Sequence, residues 1–275
     1  MQTAVVMPVY NGEMFLKKAV NSLLDQTYED FTFYITDDGS KDSTWNLLST
    51  YDDKRIVLNQ NKNNMGLTRT LNSVIQSLSE DIIIRMDADD ISHPDRIEKM
   101  LIEFQEDQSI DLLTSWTSII DEKDRFIRHT LESRINEQLI RKYFTLCNFF
   151  SHGACAFSRK AFNELGGYDV SFTLSQDYQL WLKFLLANKK VRIINDYLYY
   201  IRKHKGNLSF TKRKNQLHDR LKISLELDEN RYFKKYWTKW VLDHYNSFFA
   251  VLTIKAEQLF KRYLVVKSFF LKRRP

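Results

Sequence analysis

The sequence predicts an α/β fold: a mostly parallel sheet with helices on both faces, followed by a helical extension. Three observations lead there. Short β-branched runs alternate with amphipathic stretches through the first half of the chain, which is the pattern of strand–helix–strand units. Polar clusters fall directly after three of the apolar runs, where an open parallel sheet binds its ligands. Beyond about Thr211 the strands cease and long helical patterns take over.

The elements follow in order. Strands are predicted at Thr3–Pro8, Phe31–Thr36, Arg55–Asn59, Asp81–Met86 and Asp111–Ser115. Helices are predicted between them at Glu13–Leu24, Ser43–Tyr51, Leu67–Leu78 and Pro94–Glu106. Pro94 suits a first helical turn, because its missing N–H has no intrahelical partner there. Residues 116–175 are less regular and are punctuated by Gly153, Gly166 and Gly167. A helix follows at Gln176–Leu186, then a strand-like run at Val191–Ile201. Trp181, set among Leu180, Leu182, Leu185 and Leu186, reads as core.

At 275 residues the chain has room for one large α/β domain, 1–210, and an appended segment, 211–275. Its 7 Gly and 3 Pro leave little scope for flexible linkers. Two cysteines, Cys147 and Cys155, are too few for a disulfide scaffold and lack metal-ligand spacing; reduced, buried thiols in a cytoplasmic setting are expected. The first residues lack the layout of a signal peptide, and no apolar stretch of about 18 residues marks a membrane span.

The first chemical cluster is Asp87-Ala88-Asp89-Asp90, after Ile82-Ile83-Ile84. Three carboxylates at a strand end are costly unless solvated or neutralised. Hard oxygen donors of this kind suit Mg²⁺ or Mn²⁺, with phosphate oxygens completing the shell. An acidic turn capping the next helix explains them equally well. The second cluster, Asp37-Asp38-Gly39-Ser40, could accept a hydrogen bond from a nucleotide base, or could simply join a strand to a helix. His152-Gly153-Ala154 could set a polar side chain near an acceptor, or could be a loop-to-strand junction.

Taken together, these clusters form a series. Pro8-Val9-Tyr10-Asn11, Asp37-Asp38-Gly39-Ser40 with Asp42, Asn64-Met65-Gly66-Leu67, and Met86-Asp87-Ala88-Asp89-Asp90 with Pro94 and Arg96 resemble the signature of the family 2 glycosyltransferases. The likeness continues through Gly166-Gly167-Tyr168-Asp169, Gln176-Asp177-Tyr178-Gln179-Leu180-Trp181-Leu182 and Tyr200-Ile201-Arg202-Lys203-His204 with Ser209, so it spans about residues 3–210.

The resemblance implies a GT-A fold, Rossmann-like in its sheet, and an inverting transfer from a UDP-sugar with Mn²⁺ or Mg²⁺. It implies that Asp89 and His204 bind the metal. Asp87 would lie near the donor ribose, and Asp38, with Asp37, would read the base. Pro8, Val9, Tyr10, Asn11, Glu13, Gly66, Arg69, Ala88 and Arg202 would belong to the nucleotide-sugar site. Asp177 would be the catalytic base, with Gln176 and His152 on the acceptor side. There are two departures: Gln176-Asp177 stands where many members have Glu-Asp, and Leu71 stands where many have Arg before the Asn, with Arg69 as its substitute. Apart from the resemblance, Asp177 opens a predicted helix, where a carboxylate is also favoured by the helix dipole.

Charge is uneven. Residues 212–275 hold 16 Lys+Arg against 6 Asp+Glu, while the whole chain has a net charge of +6. Residues 231–275 interleave these cations with aromatics such as Tyr232, Phe233, Trp237, Trp240, Phe269 and Phe270. Such a stripe either lies in an anionic membrane interface or packs back on the domain. Nucleic acid is not expected as a partner, since no recognition motif accompanies the charge. The expected setting is peripheral on the cytoplasmic face of a membrane, acting on a lipid-linked or polysaccharide acceptor. Alternatives are a non-catalytic sugar-nucleotide or membrane adaptor and a nucleotidyltransferase. The latter would show a Gly-rich loop with Lys after the first strand, which Asn11-Gly12-Glu13 does not supply. A nicotinamide-dependent oxidoreductase would show G-x-G-x-x-G there.

Overall fold

The computed structural model describes residues 1–130, 138, 140–141, 144, 148–207 and 213–227. Strand β1 (Thr3–Val9) is buried along its whole length, and its side chains alternate between two cores. Ala4 and Val6 face one, Val5, Met7 and Val9 the other. It pairs in parallel with β2 (Thr32–Asp37) on one side and β4 (Ile82–Arg85) on the other; β2 pairs in parallel with β3 (Ile56–Gln60). Helices α1 (Leu16–Leu24), α2 (Thr44–Leu48) and α4 (Arg96–Glu106) cover the Val5 face. Helix α3 (Leu67–Ser77) covers the Ala4 face. The parallel, two-faced arrangement read from the sequence holds here.

Beyond β4 the sheet becomes mixed. Strand β8 (Cys155–Ser158) pairs antiparallel with β4 and with β6 (Leu112–Ile120). Strand β6 runs parallel to β9 (Val191–Arg202), whose far edge takes the two-residue β5 (Ile91–Ser92). Strand β7 (Phe126–His129) returns antiparallel along the end of β6. The spatial order is β3-β2-β1-β4-β8-β6-β9-β5. Strand β6 runs on to Ile120, past the predicted end at Ser115, and keeps Thr114, Ser115, Thr117 and Ser118 buried. Buried among strands, some find local partners: Thr117 Oγ1 lies 2.8 Å from Thr130 Oγ1, and Ser118 Oγ 3.0 Å from His129 Nδ1. Pro94 also differs from expectation. It lies two residues before α4, in the turn closed by Arg96 N donating to the His93 carbonyl, and its own carbonyl accepts from Thr27 N.

Two further helices, α5 (Arg159–Glu164) and α6 (Gln176–Leu186), pack on the Ala4 face, with Trp181 fully buried between Phe157 and Phe184. Helix α7 (Arg213–Leu227) packs across α6: Ile223 is completely buried in the same core, and Ser175 Oγ donates to the Gln216 carbonyl. The start of the predicted 211–275 segment therefore completes the core of the 1–210 segment. Residues 228–275, with the aromatic and basic stripe, lie outside the described residues, as does Cys147. Among the described residues no helix is long and apolar enough to cross a membrane.

Candidate active site

The ends of β1 and β2 are tied together side chain to backbone. Asp38 N donates to the Val9 carbonyl, Asn11 N to Ser40 Oγ, and Lys41 N to Asn11 Oδ1. Glu13, expected at the nucleotide, instead accepts from Ser43 N at 2.9 Å before α2. Both Asp38 oxygens are occupied: Oδ1 accepts from Asn61, Met65 N and Thr70, and Oδ2 from Gly66 N. Asp37 likewise accepts from Ser40 N and Gln60. These carboxylates fold the 61–66 loop rather than pointing into solvent. Gly39 allows the loop to close, since at φ 73° it holds a left-handed turn and an added Cβ would stand 2.7 Å from the Asn63 backbone.

The result is a polar cavity of about 460 Å³, lined by Tyr10, Gly39, Ser40, Lys41 and residues 60–64. Pro8 and Val9 are buried behind it, and Tyr10 is exposed at its edge. Arg69 is exposed in the first turn of α3, and no side-chain hydrogen bond or ion pair holds it among the described residues. Next to this loop, a Cβ on Gly12 would sit 4.0 Å from that of Ala88. The β1 loop thus abuts the acidic cluster.

Two fully buried arginines carry that cluster. Arg85 donates to the Val6 and Met86 carbonyls, to Asp87 Oδ1 and to His152 Nε2. Arg96 donates to the Arg85 and Gly153 carbonyls and lies over the Tyr199 ring, 4.8 Å from its centroid. Burial and mutual repulsion raise the carboxyls of Asp87 and, strongly, Asp90. Asp90 is buried, whereas Asp87 and Asp89 are each about a third exposed; Asp89 is the one outside the Arg85 pair. Its Oδ2 accepts from Asn207 Nδ2 at 3.1 Å and lies 2.9 Å from His204 Nε2. Gly206 N donates to His204 Nδ1 at 3.1 Å, which leaves the Nε2 edge of the ring facing Asp89.

On the other side of β4, His152 Nε2 also meets the Tyr168 hydroxyl at 2.8 Å, and its ring stands edge-on to Trp181. Burial, and then Arg85, hold this imidazole well below its usual range, so it is neutral. Its contacts are internal and brace Arg85. Asp177, in the first turn of α6, accepts from Asn148 Nδ2 at 3.3 Å. Burial pushes its carboxyl up to about 6; the Asp87 charge adds to the rise, while hydrogen bonds and Arg220 oppose it. Asp177 and Asp87 therefore sense each other across the site. Gln176 beside it is buried, and its Oε1 has no hydrogen-bond partner among the described residues.

The sequence profile of Glycosyl transferase family 2 matches residues 4–166. The chain belongs to that family. An uncharacterized glycosyltransferase of Methanocaldococcus jannaschii is 31% identical over 199 residues, 71% of this chain and 68% of its own. The putative glycosyltransferase EpsE of Bacillus subtilis is 29% identical over 206 residues, 73% of each chain. Among solved structures, S. aureus TarS 1-349 in complex with UDP-GlcNAc superposes with a TM-score of 0.68 at 17% identity, over 88% of this chain and 70% of that one. The mannosyltransferase PcManGT of Pyrobaculum calidifontis, in complex with GDP-Man and Mn²⁺, gives 0.66 at 14%, over 98% and 80%. These likenesses show a GT-A fold.

In this glycosyltransferase the donor set fits a divalent cation that arrives with phosphate oxygens. Among the described residues Asp89 Oδ1 takes no hydrogen-bond donor, and the side chain is 34% exposed. Among the described residues no group of three His, Cys, Asp or Glu forms a closed cage. One or two protein ligands with substrate phosphates is the usual arrangement for Mg²⁺, and an imidazole nearby also suits Mn²⁺.

The sequence assigns no role to Arg85 or Tyr199, and reads Gly153 only within the His152-Gly153-Ala154 segment. A charge closing the run Ile82-Ile83-Ile84 was the available signal for Arg85. Tyr199 is fully buried, and its hydroxyl accepts from Asp87 N. A Cβ on Gly153 would meet that hydroxyl at 2.0 Å and Asp87 Oδ2 at 2.9 Å. Gly153→Ala is expected to cost about 1–3 kcal/mol of stability, as overpacking does. It should also lower activity at least tenfold in protein that remains folded; thermal melts and kcat/KM check both.

Proposed function

We propose that this glycosyltransferase moves a sugar from a UDP-sugar to a hydroxyl of a lipid-linked or polysaccharide acceptor, with inversion. The observation that carries the reading is the placement of Asp177, raised to about 6 by burial and by the Asp87 charge, beside an acidic cluster whose partly exposed Asp89 meets His204. The nucleoside would occupy the cavity at Tyr10 and residues 60–64, with Arg69 above it. A UDP-GlcNAc complex of a neighbour with the same fold supports the choice of donor.

Asp177 takes the proton of the acceptor hydroxyl as its oxygen bonds to the anomeric carbon, and the bond from that carbon to the β-phosphate oxygen breaks to release UDP. One base suffices, because the leaving diphosphate needs no proton when its charge is held. Mn²⁺ or Mg²⁺ bound at Asp89, with His204 adjacent, would supply that charge neutralisation. Arg85 and Tyr199 hold Asp87 in place for the donor. Gln176, buried with its Oε1 unpaired among the described residues, lies on the acceptor side.

The test is UDP release from a panel of UDP-sugars with Mn²⁺, with and without EDTA, and with GDP-mannose as a further donor. Metal-dependent release from one UDP-sugar is expected. Release from GDP-mannose alone contradicts the choice of nucleotide, and no release or binding with any donor favours the adaptor reading.

The basic, aromatic stretch after residue 228 supports peripheral attachment to an anionic membrane on the cytoplasmic side. Deleting Leu259–Pro275 is expected to move the protein to the soluble fraction. Unchanged partitioning contradicts that placement.

A further inference from the structure

Arg202, which the resemblance assigns to the nucleotide-sugar site, is completely buried. Four elements meet on it. Its backbone N donates to Asp90 Oδ1 at 2.8 Å, and its Nε to the Asp89 carbonyl at 2.8 Å. Its Nη1 donates to the Asp121 carbonyl and to the Asp124 carboxylate, both in the β6–β7 turn. Its guanidinium lies over the Phe15 ring, 4.7 Å from the centroid, and the same ring stands 4.8 Å from the His204 imidazole. Phe15 precedes α1, and Lys18 in that helix also pairs with Asp124.

This arrangement links the two groups assigned to the cation. Arg202 fixes the backbone of Asp89, and Phe15 bears on the ring of His204. Asp124 is the carboxylate paired with the buried guanidinium, and a buried charge left without its partner is strongly destabilising. Asp124 holds φ 66°, a left-handed conformation that Asp and Asn tolerate better than other side chains. The turn is thus built to present this carboxylate to Arg202.

We propose that Asp124, acting through Arg202 and Phe15, is a positioning residue that presets Asp89 and His204 to receive a divalent cation. The inference rests on the donor-site reading above. Outer partners of metal ligands typically change metal affinity by about 10–100-fold.

The experiment measures Mn²⁺ affinity by the electron paramagnetic resonance signal of free Mn²⁺, in the presence of UDP, for the full chain. UDP affinity in EDTA is measured alongside. Asp124→Asn keeps the left-handed preference and removes the charge. It is expected to weaken Mn²⁺ binding about tenfold or more while UDP affinity in EDTA stays within twofold. A general structural defect would weaken both. Phe15→Leu approaches from the opposite side of the stack and is expected to act in the same direction, which keeps the test open if Asp124→Asn does not fold. Lys123→Gln, on the same turn but outside these contacts, should leave both affinities unchanged. Mn²⁺ affinity within twofold of wild type in the folded variants overturns the inference and leaves the donor-site reading standing. A wild-type protein that binds UDP but no Mn²⁺ overturns both the metal assignment and this inference.

Discussion

Asp177→Asn is expected to lower kcat by about 10²–10⁴-fold, the range a positioned general base contributes, while donor affinity stays near that of wild type. Asn keeps the size of the side chain and its place in the first turn of α6, so the core around Tyr178 and Trp181 is not disturbed. What it removes is the ability to take a proton. The same carboxyl sets a pH dependence. Burial and Asp87 raise it from the usual carboxylate range to about 6, and only the ionised form can act as base. Activity should therefore rise with pH through about 6 and level off above. Below pH 5 most molecules carry a protonated Asp177 and are inactive. In Asp177→Asn the residual rate should lose this inflection; kcat measured from pH 4.5 to 8 decides the matter.

Asp89→Asn carries the second large effect. Removing one fixed electrostatic contributor to a developing charge typically costs about 10²–10³ in rate, and Asp89 is the partly exposed carboxylate of the cluster that lies against His204. The variant should lose that factor and also lose its response to added Mn²⁺. Wild type in EDTA should fall to a similar level. The fold should survive, because the Asp89 carboxylate, unlike those of Asp87 and Asp90, accepts from neither a buried arginine side chain nor the Arg202 backbone N, and the Asp89 carbonyl held by Arg202 is kept in the variant. Equal activation of wild type and variant by Mn²⁺, measured as UDP release, contradicts this role.

The parallel half of the sheet was legible because β-branched runs and amphipathic stretches alternate there with period and spacing intact. Val5, Met7 and Val9 against Ala4 and Val6 show the strand period directly. The mixed half was less legible for a physical reason. Strand β6 buries Thr and Ser, and β5 is only two residues long, so neither carries a hydrophobic pattern. The motifs placed the acidic cluster and Asp177 correctly at strand and helix ends. They could not show which way a carboxylate turns. Asp38 and Asp89 sit in similar strand-end motifs, yet one is closed over by the 61–66 loop and the other stays partly exposed. That difference depends on Asn61, Thr70 and Gly66 reaching Asp38 from other elements. The buried framework beneath the site was illegible for the same reason. Arg85 and Tyr199 depend on partners far along the chain, Arg85 on Val6 and His152 and Tyr199 on Asp87, which no local pattern displays.

Helix α7 adds a point about the C-terminal segment. Arg220 lies over the Tyr178 ring, 5.6 Å from its centroid, and Lys222 over Phe172 at 5.8 Å. The segment that follows the catalytic core thus begins against the helix that bears Asp177. In the proposed membrane setting, the chain leading to the basic stripe starts beside the base that receives the acceptor's proton.

The most direct test of the account separates donor binding from turnover in one variant. Calorimetry of UDP-GlcNAc, or of whichever donor the panel identifies, would be run on wild type and Asp177→Asn with Mn²⁺, together with UDP release at pH 7.5. The account predicts equal affinities and a rate at least 100-fold lower in the variant. A variant that turns the donor over as fast as wild type would contradict the assignment of Asp177 as the base.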